Sequence, residues 1–268
     1  MKKSFNLFLL IILCAGLISG CQQDRSLLAL SKTRIFKVER VIDGDTIELS
    51  NGEMVRYLGI DTPEVRIKGD SGKWIYEPQP FALAAKDVNR SLVEGKEVRL
   101  EFDVEKRDKY KRLLAYCFIG DEFVNAKLLE EGMALLYTSP PNVKYTDLFV
   151  EKLQIARRLH KGVWSSDEVI TPLAAKDFIG AVKTIRGQKA KVKQRNNLTI
   201  ISFGTTKSSG RFKAVVFGKD SETFRKKGIS IQDYAGKTLK IWGLVKEYRG
   251  SPEIIIRDPS QVEIVAGG

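Results

Sequence analysis

Histidine and cysteine are scarce in this sequence. Among its 268 residues there is one histidine, His160, and there are three cysteines, Cys14, Cys21 and Cys117. Zinc sites that need several His and Cys ligands are therefore excluded, as are hydrolases built on paired histidines. Any catalysis has to rest on carboxylates, arginines, lysines or tyrosines, or on a metal that oxygen ligands hold.

Acidic residues are also few in the last third of the sequence. Lys and Arg number 45 against 33 Asp and Glu, a formal net charge of +12. Residues 21–176 hold 25 basic and 25 acidic side chains, whereas residues 177–268 hold 18 basic and 8 acidic ones, a net charge of +10. This asymmetry favours a dedicated polyanion-binding block, for nucleic acid or an acidic membrane, over a generic basic surface.

No apolar run in the sequence is long enough to cross a bilayer. The longest near the N-terminus, Leu7–Ile18, has 12 residues, and a spanning helix needs about 20. Because Lys2 and Lys3 precede it and small residues follow, we interpret it as a secretory signal.

The end of this signal, Leu17-Ile18-Ser19-Gly20-Cys21, resembles the lipobox of bacterial lipoproteins. The resemblance implies removal of residues 1–20, acylation of Cys21 and a tether over residues 21–32. It predicts an exported cell-envelope lipoprotein, at the outer membrane if the cell has two, since Gln22 follows. The alternative is an ordinary cleaved signal or a short anchor.

The rest of the sequence predicts two domains of mainly β structure with some α, the α+β class. Residues 33–167 indicate a small barrel with helices, residues 168–176 a linker, and residues 177–268 a second β-rich domain. In the first domain, strands are predicted over 35–41, 46–50, 54–60, 97–102 and 113–119, and helices over 81–92, 124–131 and 145–160. Asn51-Gly52 is a strong hairpin signal between two of these strands.

The second domain has the strand order of an oligonucleotide-binding (OB) fold. Strands are predicted over 187–194, 198–203, 211–217, 238–248 and 253–256, with a short helix at 222–227 before the last two. Three strands, a helix and two strands fit a five-stranded OB barrel. Phe212, Trp242 and Tyr248 are candidate stacking platforms for bases, with core packing as the alternative for at least one of them.

Three motifs of the first domain carry possible chemistry. They are Asp43-Gly44-Asp45-Thr46, the run from Arg56 to Glu64, and the run from Asp108 to Tyr116. A hairpin at Asn51-Gly52 brings Asp45 close to Asp61, so the two carboxylates could share a hard cation such as calcium. Arg56 lies five residues before Asp61, on the opposite face of a regular strand, so a bend near Gly59 is required to unite them.

These residue types suit phosphodiester hydrolysis. Cations neutralise the charge that develops on the phosphate, and the planar fork of an arginine matches two phosphate oxygens. A carboxylate beside the metal can take the proton of the attacking water, and Glu64 is the candidate for this general base.

The three motifs, with the closing Gly162-Val163-Trp164-Ser165, resemble the staphylococcal nuclease (thermonuclease) family across residues 33–167. The resemblance implies a barrel of OB type with three helices and a Ca²⁺-dependent nuclease acting on DNA and RNA with 3′-phosphate products. It implies no protein partner, and it leaves endo- against exonuclease action open.

The resemblance also assigns roles to individual residues. The metal site would use Asp45, Asp61 and the Thr62 carbonyl, with Asp43 near the metal; Arg56, Glu64 and Arg112 would be catalytic; Lys109, Tyr110 and Tyr137 would bind substrate. Tyr137 requires a gap in the alignment. Lys111 and Leu113 replace two glycines of the best-known member.

Two other functions are compatible with parts of the sequence. A nucleic-acid-binding module could keep the nuclease fold without activity, although such copies are expected to lose the arginines, the metal carboxylates or the base. A structural lipoprotein could hold acidic lipid with its basic domain, but this explains the charge and not the motifs.

Overall fold

The computed structural model describes residues 33–69, 71–204 and 211–266. The predicted signal segment, Cys21 and the predicted tether lie outside the described residues. No helix within the described ranges combines the length and apolarity that crossing a bilayer requires. From Ile35 onward the chain forms one compact unit.

The first half of the described chain contains ten strands and three helices. In chain order they are β1 (Thr33–Val41), β2 (Thr46–Leu49), β3 (Met54–Tyr57), β4 (Gly59–Asp61), β5 (Arg66–Lys68), β6 (Trp74–Tyr76), α1 (Ala82–Val93), β7 (Glu97–Arg107), β8 (Leu113–Ile119), β9 (Glu122–Phe123), α2 (Val124–Glu130), β10 (Leu135–Tyr137) and α3 (Thr146–Arg158).

Five of these strands close into a barrel. They are ordered β3-β2-β1-β7-β8, and β3 then pairs in parallel with β8, so that Val55 lies opposite Leu113. Alternation places Val55 and Tyr57 of β3 in the core, and leaves the intervening Arg56 on the other side of the strand. The expected mainly β fold, with a closed barrel and three helices in this half, is confirmed.

The predicted strand over 54–60 is broken into two. Leu58 separates β3 from β4, and Gly59 adopts a φ of +79°, in the left-handed region that glycine tolerates. Strand β4 therefore leaves the barrel and pairs with β10, with Leu135 opposite Asp61 and Tyr137 opposite Gly59.

The second half of the described chain contains nine strands and one helix. They are β11 (Val169–Ile170), β12 (Val182–Gly187), β13 (Lys191–Arg195), β14 (Leu198–Ser202), β15 (Lys213–Phe217), α4 (Gly218–Lys226), β16 (Leu239–Leu244), β17 (Lys246–Tyr248), β18 (Ser251–Ile255) and β19 (Val262–Ile264). The strands form a sheet ordered β11-β12-β16-β19 and another ordered β13-β14-β15-β18-β17.

Several details differ from the sequence interpretation. Of the strand predicted over 187–194, Gly187 is the last residue of β12, and β13 begins at Lys191, after Lys189, whose φ is +51°, so β12 and β13 join different sheets. The strand predicted over 238–248 is divided at Val245 into β16 and β17, which also join different sheets. Residues 169 and 170, predicted as linker, pair in parallel with β12. The second OB barrel and the domain boundaries stay predictions.

The two halves share apolar packing. Val182 and Trp242 belong to the same buried cluster as Trp164 and the barrel residues. A second cluster, which includes Ile201, Phe212 and Ile254, fills the C-terminal half.

Candidate active site

The bend at Gly59 brings Arg56 and Asp61 together. A Cβ at Gly59 would clash with the Phe149 ring of α3, so only glycine lets the chain turn this close to the helix. After the turn, Arg56 Nη2 donates a hydrogen bond of 2.7 Å to Asp61 Oδ1. The bend that the sequence requires is therefore present.

Arg56 joins both arms of the hairpin. Its Nη2 lies 3.0 Å from Asp45 Oδ2, and its Nη1 donates to the carbonyls of Tyr57 and Ile60, each at 2.9 Å. The guanidinium thus braces the bend and holds two carboxylates at once.

Asp45 is the buried carboxylate of the site. It is 4% exposed and accepts hydrogen bonds from the Thr62 backbone N–H at 2.8 Å and from Thr46 Oγ1 at 3.2 Å. Burial raises the pKa of Asp45 well above its ordinary value, and Asp43 and Asp61 add to this rise, while Arg56 opposes it. The carboxyl groups of Asp43, Asp45 and Asp61 thus outnumber the single guanidinium of Arg56 that acts on them.

Gly44 is required where the two motifs meet. A Cβ there would lie 2.7 Å from Thr62 Cβ and 2.8 Å from Ala85 Cβ. The glycine of Asp43-Gly44-Asp45 thus allows the segment before β2 to lie close to Thr62 and to α1. Thr62 itself is 5% exposed, next to Asp45.

Asn89 is a positioning residue that the sequence interpretation missed. It is fully buried on α1, donates to the Asp43 carbonyl at 3.2 Å, and accepts from the Tyr57 hydroxyl at 3.1 Å. Asp43 in turn accepts from the Asp45 backbone N–H at 3.2 Å. An asparagine on the apolar face of a predicted helix is the signal that could have revealed it.

Glu64 faces the same cluster from a short loop. Its backbone exchanges hydrogen bonds with Gln79, at 2.9 Å to the side chain and 3.0 Å from the backbone N–H. The residue contacts solvent, yet partial desolvation, with Asp43 and Asp61 nearby, raises the pKa of Glu64 to about 7. Arg56 and Arg112 act in the opposite direction. A carboxylate with this pKa suits general-base catalysis near neutral pH.

The third motif forms a tight turn that orients Arg112. Asp108 accepts from the Arg112 Nε at 2.8 Å and from the backbone N–H groups of Arg112 and Tyr110. Lys109 and Tyr110 are exposed, with the Lys109 ammonium 5.0 Å from the centre of the Tyr110 ring. Lys111 has a φ of +68°, so this lysine occupies a backbone conformation that suits glycine.

Tyr137 lies apart from this turn, beside the C-terminal half. The Arg257 guanidinium sits 4.4 Å from the centre of the Tyr137 ring, and the adjacent Thr138 hydroxyl donates to the Arg257 carbonyl at 3.0 Å. Because Leu135 pairs with Asp61, Tyr137 and Asp61 lie on one face of their small sheet. Tyr137, predicted to bind substrate, is thus partly covered by the protein's own Arg257.

The donor set fits a hard cation. Asp45, Asp61 and the Thr62 carbonyl offer oxygen ligands, and the excess of carboxylates over Arg56 favours a further positive charge. In the described residues no three His, Cys, Asp or Glu side chains are grouped as a metal site. Since Arg56 holds both Asp45 and Asp61, a cation shared by them would compete with the arginine.

Comparison with known proteins supports the same class. The family model described as "Staphylococcal nuclease homologue" matches residues 54–166. The thermonuclease of Staphylococcus intermedius is 39% identical over 132 residues, which cover 48% of this chain and 75% of the relative. That of Staphylococcus hyicus is 35% identical over 142 residues, 52% of this chain and 80% of the relative. Endonuclease YncB of Bacillus subtilis (strain 168) is 38% identical over 151 residues, 54% of this chain and 67% of the relative.

Fold, site and relatives together define a nuclease of the hydrolase class. The chain belongs to the staphylococcal nuclease family. Most of the predicted site lies within the matched range, whereas Asp43 and Asp45 precede it and the basic residues 177–268 follow it.

Proposed function

We propose that this nuclease is calcium-dependent and hydrolyses phosphodiester bonds in DNA and RNA. The observation that carries the proposal is the contact of one guanidinium, Arg56, with two carboxylates, Asp45 and Asp61. Glu64 stands beside them with a pKa of about 7.

Asp45, Asp61 and the Thr62 carbonyl would hold the cation, and Asp43 would orient Asp45 from behind. Bound calcium supplies positive charge that neutralises the phosphate and polarises a water molecule. Calcium is favoured over a soft metal because the candidate ligands are all oxygen atoms.

Phosphate binding and proton transfer are assigned to the two arginines and to Glu64. Arg56 and Arg112 bind the non-bridging phosphate oxygens, where their forks stabilise the charge that develops during attack. Glu64 accepts the proton of the attacking water. The bond to the 5′ oxygen of the next nucleotide breaks, and a 3′-phosphate and a 5′-hydroxyl remain, as the family resemblance implies. Lys109 and Tyr110, exposed beside Arg112, contact a neighbouring nucleotide.

Cleavage of a supercoiled plasmid and of an RNA, with calcium or with a chelator, tests the proposal. Wild-type protein should cleave both substrates only with calcium, and Asp61→Asn should lose most activity while remaining folded. The alternative of a binding module without activity predicts retention of the plasmid without nicking under every condition.

The lipid anchor is a separate part of the proposal. Its support is the lipobox-like run before Cys21. Cys21→Ser should release the protein from membranes without altering cleavage. Unchanged membrane fractionation of this variant would favour an uncleaved or ordinary signal.

We further propose that the C-terminal half is an OB-type barrel that holds nucleic acid. Its net charge of +10 and its succession of three strands, a helix and further strands support this proposal. Of the three aromatic candidates, Phe212 and Trp242 are buried in the core, at 1% and 7% exposure, which leaves Tyr248, at 54%, for stacking.

A further inference from the structure

A row of paired polar side chains, three of them lysines, crosses the five-stranded sheet of the C-terminal half. The register places Lys191 opposite Ser202, Ser202 opposite Lys213, Lys213 opposite Glu253, and Glu253 opposite Lys246. Residues that are directly paired project from the same face of a sheet. One row from β13 to β17 therefore carries three lysines, Lys191, Lys213 and Lys246, which we call the lysine row.

The lysine row lies on the outer face of this sheet. The next residues along three of the strands, Ile201, Ala214 and Ile254, are fully buried and form the core on the opposite face. Lys191 and Lys246 are exposed, and Lys213 is half-buried. Tyr248, two residues after Lys246, projects from the same face and is exposed.

One end of the row lies near Asp61, a candidate metal ligand. A crevice of about 60 Å³ is lined by Asp61 and Tyr137 of the first half and by Lys246 and Arg257 of the second. Lys246 is therefore both the end of the lysine row and a wall of the crevice beside Asp61.

The two halves are fixed to each other at this crevice. Arg257 pairs with the fully buried Asp220 at 3.2 Å while it covers Tyr137. The Arg157 guanidinium of α3 lies 3.9 Å from the centre of the Trp242 ring. The lysine row therefore keeps a constant position relative to Asp61.

We propose that the lysine row is the track of a single polynucleotide strand that leaves the active site past Lys246 and crosses the sheet toward Lys191. This inference rests on the proposed nuclease function and specifies where its substrate lies. Lysines on every second strand bind phosphates at intervals along the polynucleotide as point charges, with Glu253 between Lys213 and Lys246. Tyr248 offers a ring for one base.

The sheet geometry sets the length of strand that the row can bind. Four spacings of about 4.8 Å separate β17 from β13, so the row is about 19 Å long. At about 3.4 Å per nucleotide of stacked strand, this corresponds to about six nucleotides beyond the crevice. Lys191 should therefore act only on substrates that extend at least this far.

The test compares Lys246→Gln and Lys191→Gln on oligothymidylates of about 4 and about 16 nucleotides in calcium. Lys246→Gln should raise KM for both substrates. Lys191→Gln should raise KM for the long one alone, and so lower the long-to-short ratio of kcat/KM. In the Glu64→Gln background, each substitution should weaken binding of the long oligonucleotide up to about fivefold at 0.1 M salt and flatten its salt slope by about 0.7.

The matched controls are the single variants Lys226→Gln, on α4, and Lys240→Gln, on the other sheet, each of which removes one positive charge as a row variant does. Each control should retain the wild-type length dependence and salt slope. If the control variants change the length dependence and the salt slope as much as the row variants do, the proposed track is wrong. It is also wrong if the row variants weaken binding to anionic vesicles but not to oligonucleotides. If the wild-type protein cleaves neither oligonucleotide, the proposed nuclease function fails instead.

Discussion

Arg56 donates a hydrogen bond of 2.7 Å to Asp61, five residues later in the same hairpin arm. The same guanidinium binds the Tyr57 and Ile60 carbonyls of the bend. Arg56 therefore stabilises the bend between β3 and β4 and is also a candidate phosphate ligand.

Because of this double role, substitution by lysine should affect stability differently at Arg56 and at Arg112. Arg56→Lys and Arg112→Lys should each lower kcat/KM by about 10²-fold or more, because a lysine cannot make a forked contact. Only Arg56→Lys should also lower the melting temperature clearly, since Arg112 is braced mainly to Asp108 on its own turn. Calorimetry and cleavage assays check both effects. Wild-type rates in both variants would contradict the phosphate assignment.

Replacement of the candidate base should separate chemistry from folding. Glu64→Gln should lower kcat by about 10²- to 10⁴-fold while the protein stays folded, because a positioned base contributes about that much. The assay is single-turnover cleavage at saturating calcium. Near wild-type turnover by the folded variant would remove Glu64 from this role.

Glu64→Gln should also alter how the free energy of unfolding of the calcium-free protein depends on pH. The pKa of Glu64 is about 7 in the folded chain and 4.5 ordinarily, so the folded state binds its proton more tightly. The free energy of unfolding therefore loses this contribution as pH rises from about 4.5 through about 7. Glu64→Gln should lack that loss, and urea titrations between pH 4 and pH 8 in chelator measure it. Parallel pH profiles for the two proteins would contradict the prediction.

Calcium should stabilise the folded protein through Asp45 and Asp61. At 100 times its dissociation constant, a ligand that binds only the folded state adds about 2.7 kcal/mol to the free energy of unfolding. Asp61→Asn and Asp45→Asn should abolish the calcium-dependent rise in melting temperature. Asp121→Asn, in the turn between β8 and β9, is the control and should retain it.

The bend at Gly59 predicts a large folding cost for a small substitution. Gly59→Ala should destabilise the protein by about 2–5 kcal/mol, from left-handed strain and overpacking against Phe149. Gly52→Ala is the control: Gly52 has a φ of +82° but no atom within 4 Å of an added Cβ, so only about 1–2 kcal/mol is expected. Equal costs in denaturant unfolding would show that Phe149 moves aside freely.

The sequence predicted the elements of the first half well because their signals are local. Asn51-Gly52 marks its hairpin, and the apolar spacing before Val93 marks α1. The Arg56–Asp61 contact was harder to predict, because a regular strand places residues five apart on opposite faces. Only Gly59 suggested the bend that unites them. Contacts between distant segments, such as Arg257 over Tyr137, leave no periodic signal and required the structure.

The interruption between β12 and β13 was missed for a related reason. Lys189 takes a left-handed backbone conformation that glycine or asparagine usually marks, and a lysine gives no such signal. Asn89 was missed because the sequence does not show which buried groups its amide would meet, whereas in the structure the amide donates to the Asp43 carbonyl and accepts from the Tyr57 hydroxyl.

The apolar cluster that unites Trp164 with Trp242 has a consequence for the order of folding. Trp164 closes the first half, but its cluster is complete only when β16, which lies much later in the chain, has been made. During synthesis, which begins at the N-terminus, the apolar surface around Trp164 stays exposed until β16 has been made. The crevice beside Asp61 therefore forms only after the last strands have been made, and incomplete chains lack one wall of this crevice.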